Sequence, residues 1–365
     1  MPAFTSSPSS ADAALAAPRR APDRAVGLWL LACCAMVLAM AVIGAITRLT
    51  ESGLSIMEWA PLSGALPPLS EAEWERLFAL YRQIPEYSQV NAWMDLEAFK
   101  TIFWWEYVHR LWGRLIGVVF AVPLAWFWLR GRIGRDLGRK LLVAFALGAA
   151  QGLLGWFMVA SGFAERTDVS QYRLTAHLLL ALVIYAYLLW LALAVLWPRP
   201  EYSDDPAAPA LRRALLGLLA LVTLTVASGG FVAGLNAGLT YNTFPLMDGE
   251  LIPRGYALLS PWIANLFENV TAVQFNHRLL AVVTVTAALG LWLWSLSRDL
   301  ASPAQLGFAA LAILALIQLA LGITTLLLVV PVALGAAHQA GAILVLTAAI
   351  WTLYHLRARS QGEGA

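Results

Sequence analysis

Charge is what this sequence has least of. Only 13% of its 365 residues are Asp, Glu, Lys or Arg, against roughly 25% in an ordinary soluble domain. Hydrophobic residues make up 60%, and the mean hydropathy is +0.70. An ordinary soluble domain is excluded, and a multi-pass membrane protein is implied. Cysteine is nearly absent as well. The two present, Cys33 and Cys34, are neighbours, so their Cα atoms sit about 3.8 Å apart, shorter than the usual disulfide span. That excludes a disulfide framework and a CxxC metal site. A net charge of +2, with the basic residues scattered among loops, excludes a nucleic-acid partner.

Long apolar runs are abundant. Spanning about 30 Å of hydrocarbon takes about 20 apolar residues in a helix. Eight segments qualify, near 26–47, 103–129, 140–161, 173–197, 212–234, 269–296, 304–329 and 333–355. All are expected to be helical, because backbone polar groups in lipid must pair internally. Residues 1–25, rich in Ala, Pro and Ser, read as a disordered cytoplasmic tail. The run that follows is too long for a signal peptide and is taken as a retained first helix. Arg19, Arg20 and Arg24 precede the first span, and "RGRIGRDLGRK" at 130–140 joins the second to the third. Arg199, Arg212, Arg213, Arg298, Arg357 and Arg359 fall on the same side, so both termini are expected in the cytoplasm.

Two outer connections are long. Residues 49–102 contain a capping box, Ser70 to Glu73, followed by Trp74, Leu77, Phe78 and Tyr81 at helical spacing. An amphipathic surface helix is predicted there. Residues 235–268, with "GLNAGLTYNTFPLMDGELIP", read as irregular structure folded over the outer face.

The halves repeat. "GAITRLTESGLS" resembles "GFVAGLNAGLTY", "EYVHR" at 106–110 matches "QFNHR" at 274–278, and "QGLLG" matches "QLALG". "TAHLLLA" matches "AAHQAGA". The offsets are 168 for the first histidine, 167 for the glutamine and 161 for the second histidine. This predicts an all-α membrane protein of eight transmembrane helices, arranged as two pseudo-two-fold-related four-helix bundles in parallel orientation. The expected divisions are a tail at 1–25, a first bundle at 26–197, a linker at 198–211, a second bundle at 212–356 and a tail at 357–365.

Four of the five histidines obey the repeat: His109 and His277 on the second and sixth spans, His177 and His338 on the fourth and eighth. Two imidazoles at equal depth on different helices of one bundle are the arrangement that holds a haem by both axial positions. The bland alternative is hydrogen-bonded packing, which the repetition disfavours and which His355, lacking a counterpart, fits best. Arg110, Arg114 and Arg278 are candidates for haem propionates, with snorkelling or pairing to Glu106 as the alternative. Gln151 and Gln318 could be interhelical hydrogen bonders or pocket walls. Three residues before the His-Arg pair the first half carries Glu106 and the second Gln274. A carboxylate can take a proton or stabilise positive charge, and an amide cannot. That asymmetry points to chemistry in the first half and electron carriage in the second, unless Glu106 merely pairs with Arg110.

"TRLTESGLS", then "PP", "EW", "PEY" and "N", then "FKTIFWWEYVHRLWGRLIG", resemble the haem A synthases, in the branch shared by mitochondria and related bacteria. "GLNAGLTYNTFPLM" and "FNHRLLA" resemble the same family, and the correspondence covers about residues 26–355. The resemblance implies oxidation of a methyl group of haem O to a formyl group, giving haem A for cytochrome c oxidase. It further implies His109 and His177 as ligands of the substrate haem, Glu106 in the oxidation, and His277 and His338 as ligands of a permanent haem b. Another branch carries a cysteine pair in the first outer loop. Residues 49–102 contain none, so no chemistry through loop cysteines is implied. Expected surroundings are the bacterial inner membrane and its lipid, with the haem sites near the periplasmic face. Haem O synthase and oxidase assembly factors are the expected protein partners, and a homo-oligomer is left open. The rival reading is a bis-histidine b-type cytochrome that carries electrons without modifying haem, and a transporter comes third.

Overall fold

The structure is a computed structural model that describes residues 23–60, 63–163, 167–198, 202–203 and 205–358. Most of the expected N-terminal tail, and residues 359–365 of the expected C-terminal one, lie outside the described residues. Among the described residues the regular structure is helical apart from one pairing of two-residue strands and an isolated bridge between Met247 and Glu250. Its long helices are α1 (Arg24–Leu49), α4 (Leu96–Leu129), α5 (Arg135–Val159), α6 (Gln171–Leu196), α7 (Ala208–Gly234), α8 (Val270–Leu296), α9 (Ser302–Leu327) and α10 (Val332–His355). All eight are long and apolar enough to cross a membrane. Two short helices, α2 (Glu71–Tyr81) and α3 (Pro85–Gln89), lie between α1 and α4.

Start signals set the boundaries. Asp23 caps α1 by accepting from the Val26 amide at 3.2 Å, and its carboxylate also holds Arg132 of the α4–α5 connection. The first span thus begins at Arg24, two residues inside the expected tail. Asp95 caps α4 through the Ala98 amide at 2.9 Å, so α4 starts seven residues ahead of the predicted span. At 34 residues it runs about 51 Å at 1.5 Å per residue, well beyond a hydrocarbon core of about 30 Å. Its first turns therefore project from the bundle, and α2 docks on them. Ser70 accepts from the Glu73 amide at 3.3 Å, while Glu73 accepts from Leu69 rather than closing the box on Ser70 itself. Trp74 then packs edge-on against Phe103, and Tyr81 against Phe99. The predicted amphipathic helix is present, with its apolar face against protein.

Each half closes as a ring of four. In the first, α1 packs on α4 and α6, and α5 fills the remaining side; in the second, α7 packs on α8 and α10, with α9 completing the ring. The rings meet where α1 and α6 pack against α10, and α6 against α7. Gly230 and Gly234 permit the α6–α7 crossing: a Cβ at Gly234 would stand 2.7 Å from the Gln171 Cα. Small residues four apart allow such close approach between membrane helices. Above this crossing Arg48 of α1 donates to the Ala233 carbonyl and to Asn236, and pairs with Asp168 at 3.5 Å. The strands β1 (Tyr202–Ser203) and β2 (Arg357–Ala358) pair in parallel, tying the connection between the halves to the end of α10. The chain after 356 therefore begins with a pairing and not with a free tail.

Helices α4, α6, α8 and α10 all start at one end, which also carries the two long connections and is called the loop-rich end below. In α3, at that end, Glu86 is buried and one of its oxygens has no hydrogen-bond partner. Burial, with the Asp168, Glu106 and Glu51 carboxylates nearby, pushes the Glu86 carboxyl up from about 4.5 to about 8. Its neutral form is preferred by the folded state. Its contribution to stability is thus fully present below about pH 4.5 and is lost as pH rises through about 8. Glu86→Gln, neutral at every pH, is expected to flatten the fall in thermal midpoint between pH 5 and 8 in detergent. Parallel curves for variant and wild type would show that Glu86 does not carry this dependence.

Candidate functional site

The four repeated histidines sit toward the loop-rich end. His177, His277 and His338 lie six or seven residues into α6, α8 and α10, and His109 lies thirteen into the longer α4. The extra turns of α4 account for the difference. Against each imidazole stands a glycine of the preceding long helix. A Cβ at Gly44, Gly155, Gly229 or Gly322 would fall 3.0, 2.9, 3.1 and 2.8 Å from the Cε1 of His109, His177, His277 and His338 respectively. All four glycines lie four or five residues before the end of α1, α5, α7 or α9. Their lack of a side chain lets each ring approach the neighbouring backbone closely. Gly155 and Gly322 belong to the glutamine motifs; Gly44 and Gly229 were not singled out by sequence reasoning, although Gly44 opens the repeated stretch and Gly229 immediately precedes its counterpart.

In the second half, the His277 and His338 rings face each other with centroids 6.5 Å apart and planes at 88°. Metal–imidazole bonds run about 2.0–2.1 Å, so a metal held between two rings separates their centroids by about 6.3 Å. The spacing therefore fits an iron bound on both sides. In the first half His109 lies within electrostatic range of His177, and its Nδ1 is buried without a partner. No hydrogen bond among the described residues therefore holds the His109 ring at that nitrogen.

Gln151 and Gln318 act alike. Each side-chain amide donates to the backbone carbonyl of its histidine, His177 or His338, at 3.0 and 2.9 Å, and lies 3.2 and 3.1 Å from the Nδ1. Both join neighbouring helices and also border the imidazoles, so the two readings of these glutamines coincide.

Around the carboxylate the geometry is closed. Glu106 is buried in α4, and four donors converge on it. Oε2 accepts from Ser55 Oγ and the Ile56 amide, each at 2.7 Å, and Oε1 accepts from Arg110 Nε at 3.0 Å and Nη2 at 2.6 Å. The pairing with Arg110 is thus present. It is one part of a network that also ties the loop down, because Arg110 donates to the Ile56 and Glu58 carbonyls at 2.6 and 2.9 Å. Arg278 repeats this in the second half with the Tyr241 and Thr243 carbonyls, at 2.6 and 2.7 Å. Gln274 donates to Tyr241 at 3.2 Å, while its Oε1 and the Arg278 Nε are buried without partners. Each arginine therefore straps a loop to its own helix one residue after the histidine, and only in the first half is a buried carboxylate bonded to that arginine. Arg114 donates to the Ala60 carbonyl at 2.7 Å. Ser55, the last residue of "TRLTESGLS", had no assigned role in the sequence.

The remaining polar candidates lie elsewhere. His355 is buried at the opposite end of α10 among Trp197, Trp351 and Tyr354, where it packs. Cys33 and Cys34 are free thiols buried in α1.

Comparison with known proteins agrees with this geometry in extent. Over 337 residues the chain is 51% identical to a heme A synthase of Nitrosospira multiformis, covering 92% of this chain and 95% of that one. It is 53% identical over 345 residues to a heme A synthase of Rhodospirillum centenum, covering 94% and 91%. Against the human heme A synthase COX15 the identity is 45% over 348 residues, covering 93% and 84%. A family model described as cytochrome oxidase assembly protein, COX15-CtaA, matches residues 27–350, and the chain belongs to that family.

Proposed function

We propose that this chain oxidises a methyl substituent of haem O to a formyl group, giving haem A for cytochrome c oxidase. The substrate is held in the α1, α4, α5 and α6 ring, and a permanent haem b in the α7–α10 ring. One observation carries the division: at matched places beneath the two arginine straps, the first half buries the carboxylate of Glu106 and the second the amide of Gln274. The names of the relatives support the reaction.

His109 and His177 would hold the substrate iron, and His277 and His338 would hold haem b, which when bound would supply a one-electron redox centre. Glu106 puts a fixed negative charge under the loop strap, where it stabilises positive charge developing at the methyl carbon as it is oxidised. With four donors aimed at its oxygens, it acts first as that charge. As a proton acceptor it would have to release Arg110 or Ser55. Arg110, Arg114 and Arg278 are the candidate partners of the propionates at the loop-rich end. Methyl to formyl is a four-electron oxidation, –CH3 + H2O → –CHO + 4 H+ + 4 e–, so the electrons leave to an acceptor outside this chain and the oxygen enters from outside it, while the residues of the site hold and orient the substrate.

The two rings are related by a pseudo-two-fold axis along the membrane normal. Both termini are cytoplasmic, and the loop-rich end faces the periplasm of a bacterial inner membrane. Haem O synthase and oxidase assembly factors are the partners that deliver the substrate and take the product. The rival, a bis-histidine cytochrome without haem modification, explains the four imidazoles equally well but gives no reason for a buried carboxylate in one half alone. Expression of the chain in cells that make haem O but lack haem A decides between them. Haem A in the extracted membranes supports the reaction, and unchanged haem O supports the cytochrome.

A further inference from the structure

The halves differ at a second place, behind the histidines of α4 and α8. His277 Nδ1 lies 2.8 Å from Ser228 Oγ, and that Oγ lies 2.7 Å from the Thr225 carbonyl one turn earlier in α7. With the hydroxyl proton on the Thr225 carbonyl the serine oxygen accepts from Nδ1–H, and the same carbonyl is itself within hydrogen-bond reach of the ring. His277 is thereby fixed in the tautomer that leaves its Nε2 lone pair free. A ring N–H held in this way orients a ligating imidazole and makes it more basic.

His109 has no such support, since its Nδ1 is buried without a partner. Gly44 meets the His109 ring as Gly229 meets that of His277, which sets Ile43 in the place of Ser228. An isoleucine side chain offers no acceptor. The partner histidines do not differ at Nδ1, because Gln151 and Gln318 both lie against it and donate to the carbonyl of the same histidine, although Gln151 also lies 3.2 Å from the His177 Nε2. The contrast at Nδ1 is therefore confined to one ligand of each pair.

We infer that Ser228 is a positioning residue that makes His277 a permanent haem ligand, and that Ile43 leaves His109 a releasable one. The inference rests on the two-haem reading above. A site that takes up haem O and gives out haem A in each cycle needs a ligand that lets go; a resident redox centre needs one that does not.

The test uses the full-length protein purified in detergent, with haem b transfer to excess apomyoglobin and the haem b midpoint potential as readouts. Ser228→Ala is expected to speed haem b loss by about 10–100-fold and to raise the potential, because a less basic imidazole stabilises oxidised iron less. Ser228→Thr, which keeps the hydroxyl, is expected to restore both. Ile43→Ser is expected to slow release of the haem held by His109. Unchanged transfer and potential in Ser228→Ala, with haem b absent from His277→Ala, would overturn the role of the serine alone. Unchanged release in Ile43→Ser would overturn the role given to Ile43. A haem b spectrum surviving in His277→Ala would overturn the two-haem reading and this inference with it.

Discussion

Glu106→Gln is expected to lower the conversion of haem O to haem A by about 10²–10³-fold, the usual cost of removing one preorganised electrostatic group, while haem b content and spectrum stay at wild-type levels. The substitution makes the first half resemble the second, where glutamine stands at the matched place. An amide oxygen can still accept from Arg110 or from the pair formed by Ser55 and the Ile56 amide. The amide nitrogen then faces donors on the other side, so the strap loosens while the negative charge disappears. Gln274→Glu is the mirror control. Its new carboxylate would lie near the Arg278 Nε, which is buried without a partner, and it is expected to leave conversion unchanged. Extracted haem separated by reversed-phase chromatography reads both variants. Full conversion by Glu106→Gln with normal haem content would remove Glu106 from the chemistry.

The second large effect concerns the histidines. His277→Ala and His338→Ala are each expected to abolish the haem b spectrum in reduced-minus-oxidised difference measurements, because removing one ring breaks the 6.5 Å pair. His109→Ala and His177→Ala are expected to keep haem b and to lose conversion. The first core centres on Leu30, Leu141 and Leu193 and takes in Ile343, Leu346 and Ile350 of α10, and the second centres on Leu211, Phe308 and Leu311. Neither includes a histidine ligand candidate, so loss of one ring should leave both halves folded. Loss of haem b from His109→Ala would mean that the halves do not hold their haems independently.

The candidate histidines were legible in the sequence because each has a counterpart in the other half, and the structure sets all four against a glycine of the preceding long helix. Glu106 and Gln274 stood out for the complementary reason, as the pair the repeat does not preserve. Hydropathy found eight spans but misplaced the start of α4. Glu97 and Lys100 end the apolar run, whereas the helix itself is set by the Asp95 cap and by α2 docking on Phe99 and Phe103. The glycines at 44 and 229 were not legible, because their partners depend on which helices become neighbours. The same holds for Ser228, whose hydroxyl matters only once His277 is brought to it. The donations of Arg110 and Arg278 to loop carbonyls were hidden likewise, since a backbone acceptor leaves no mark in side-chain identity.

The central claim is that one half holds a haem to be changed and the other a haem that stays. It is tested most directly by extracting the haem from the purified wild-type protein made in cells that supply haem O, and separating it by chromatography. The account predicts haem b together with haem O or haem A in the same preparation. Haem b alone, with no haem A in the membranes, would contradict it.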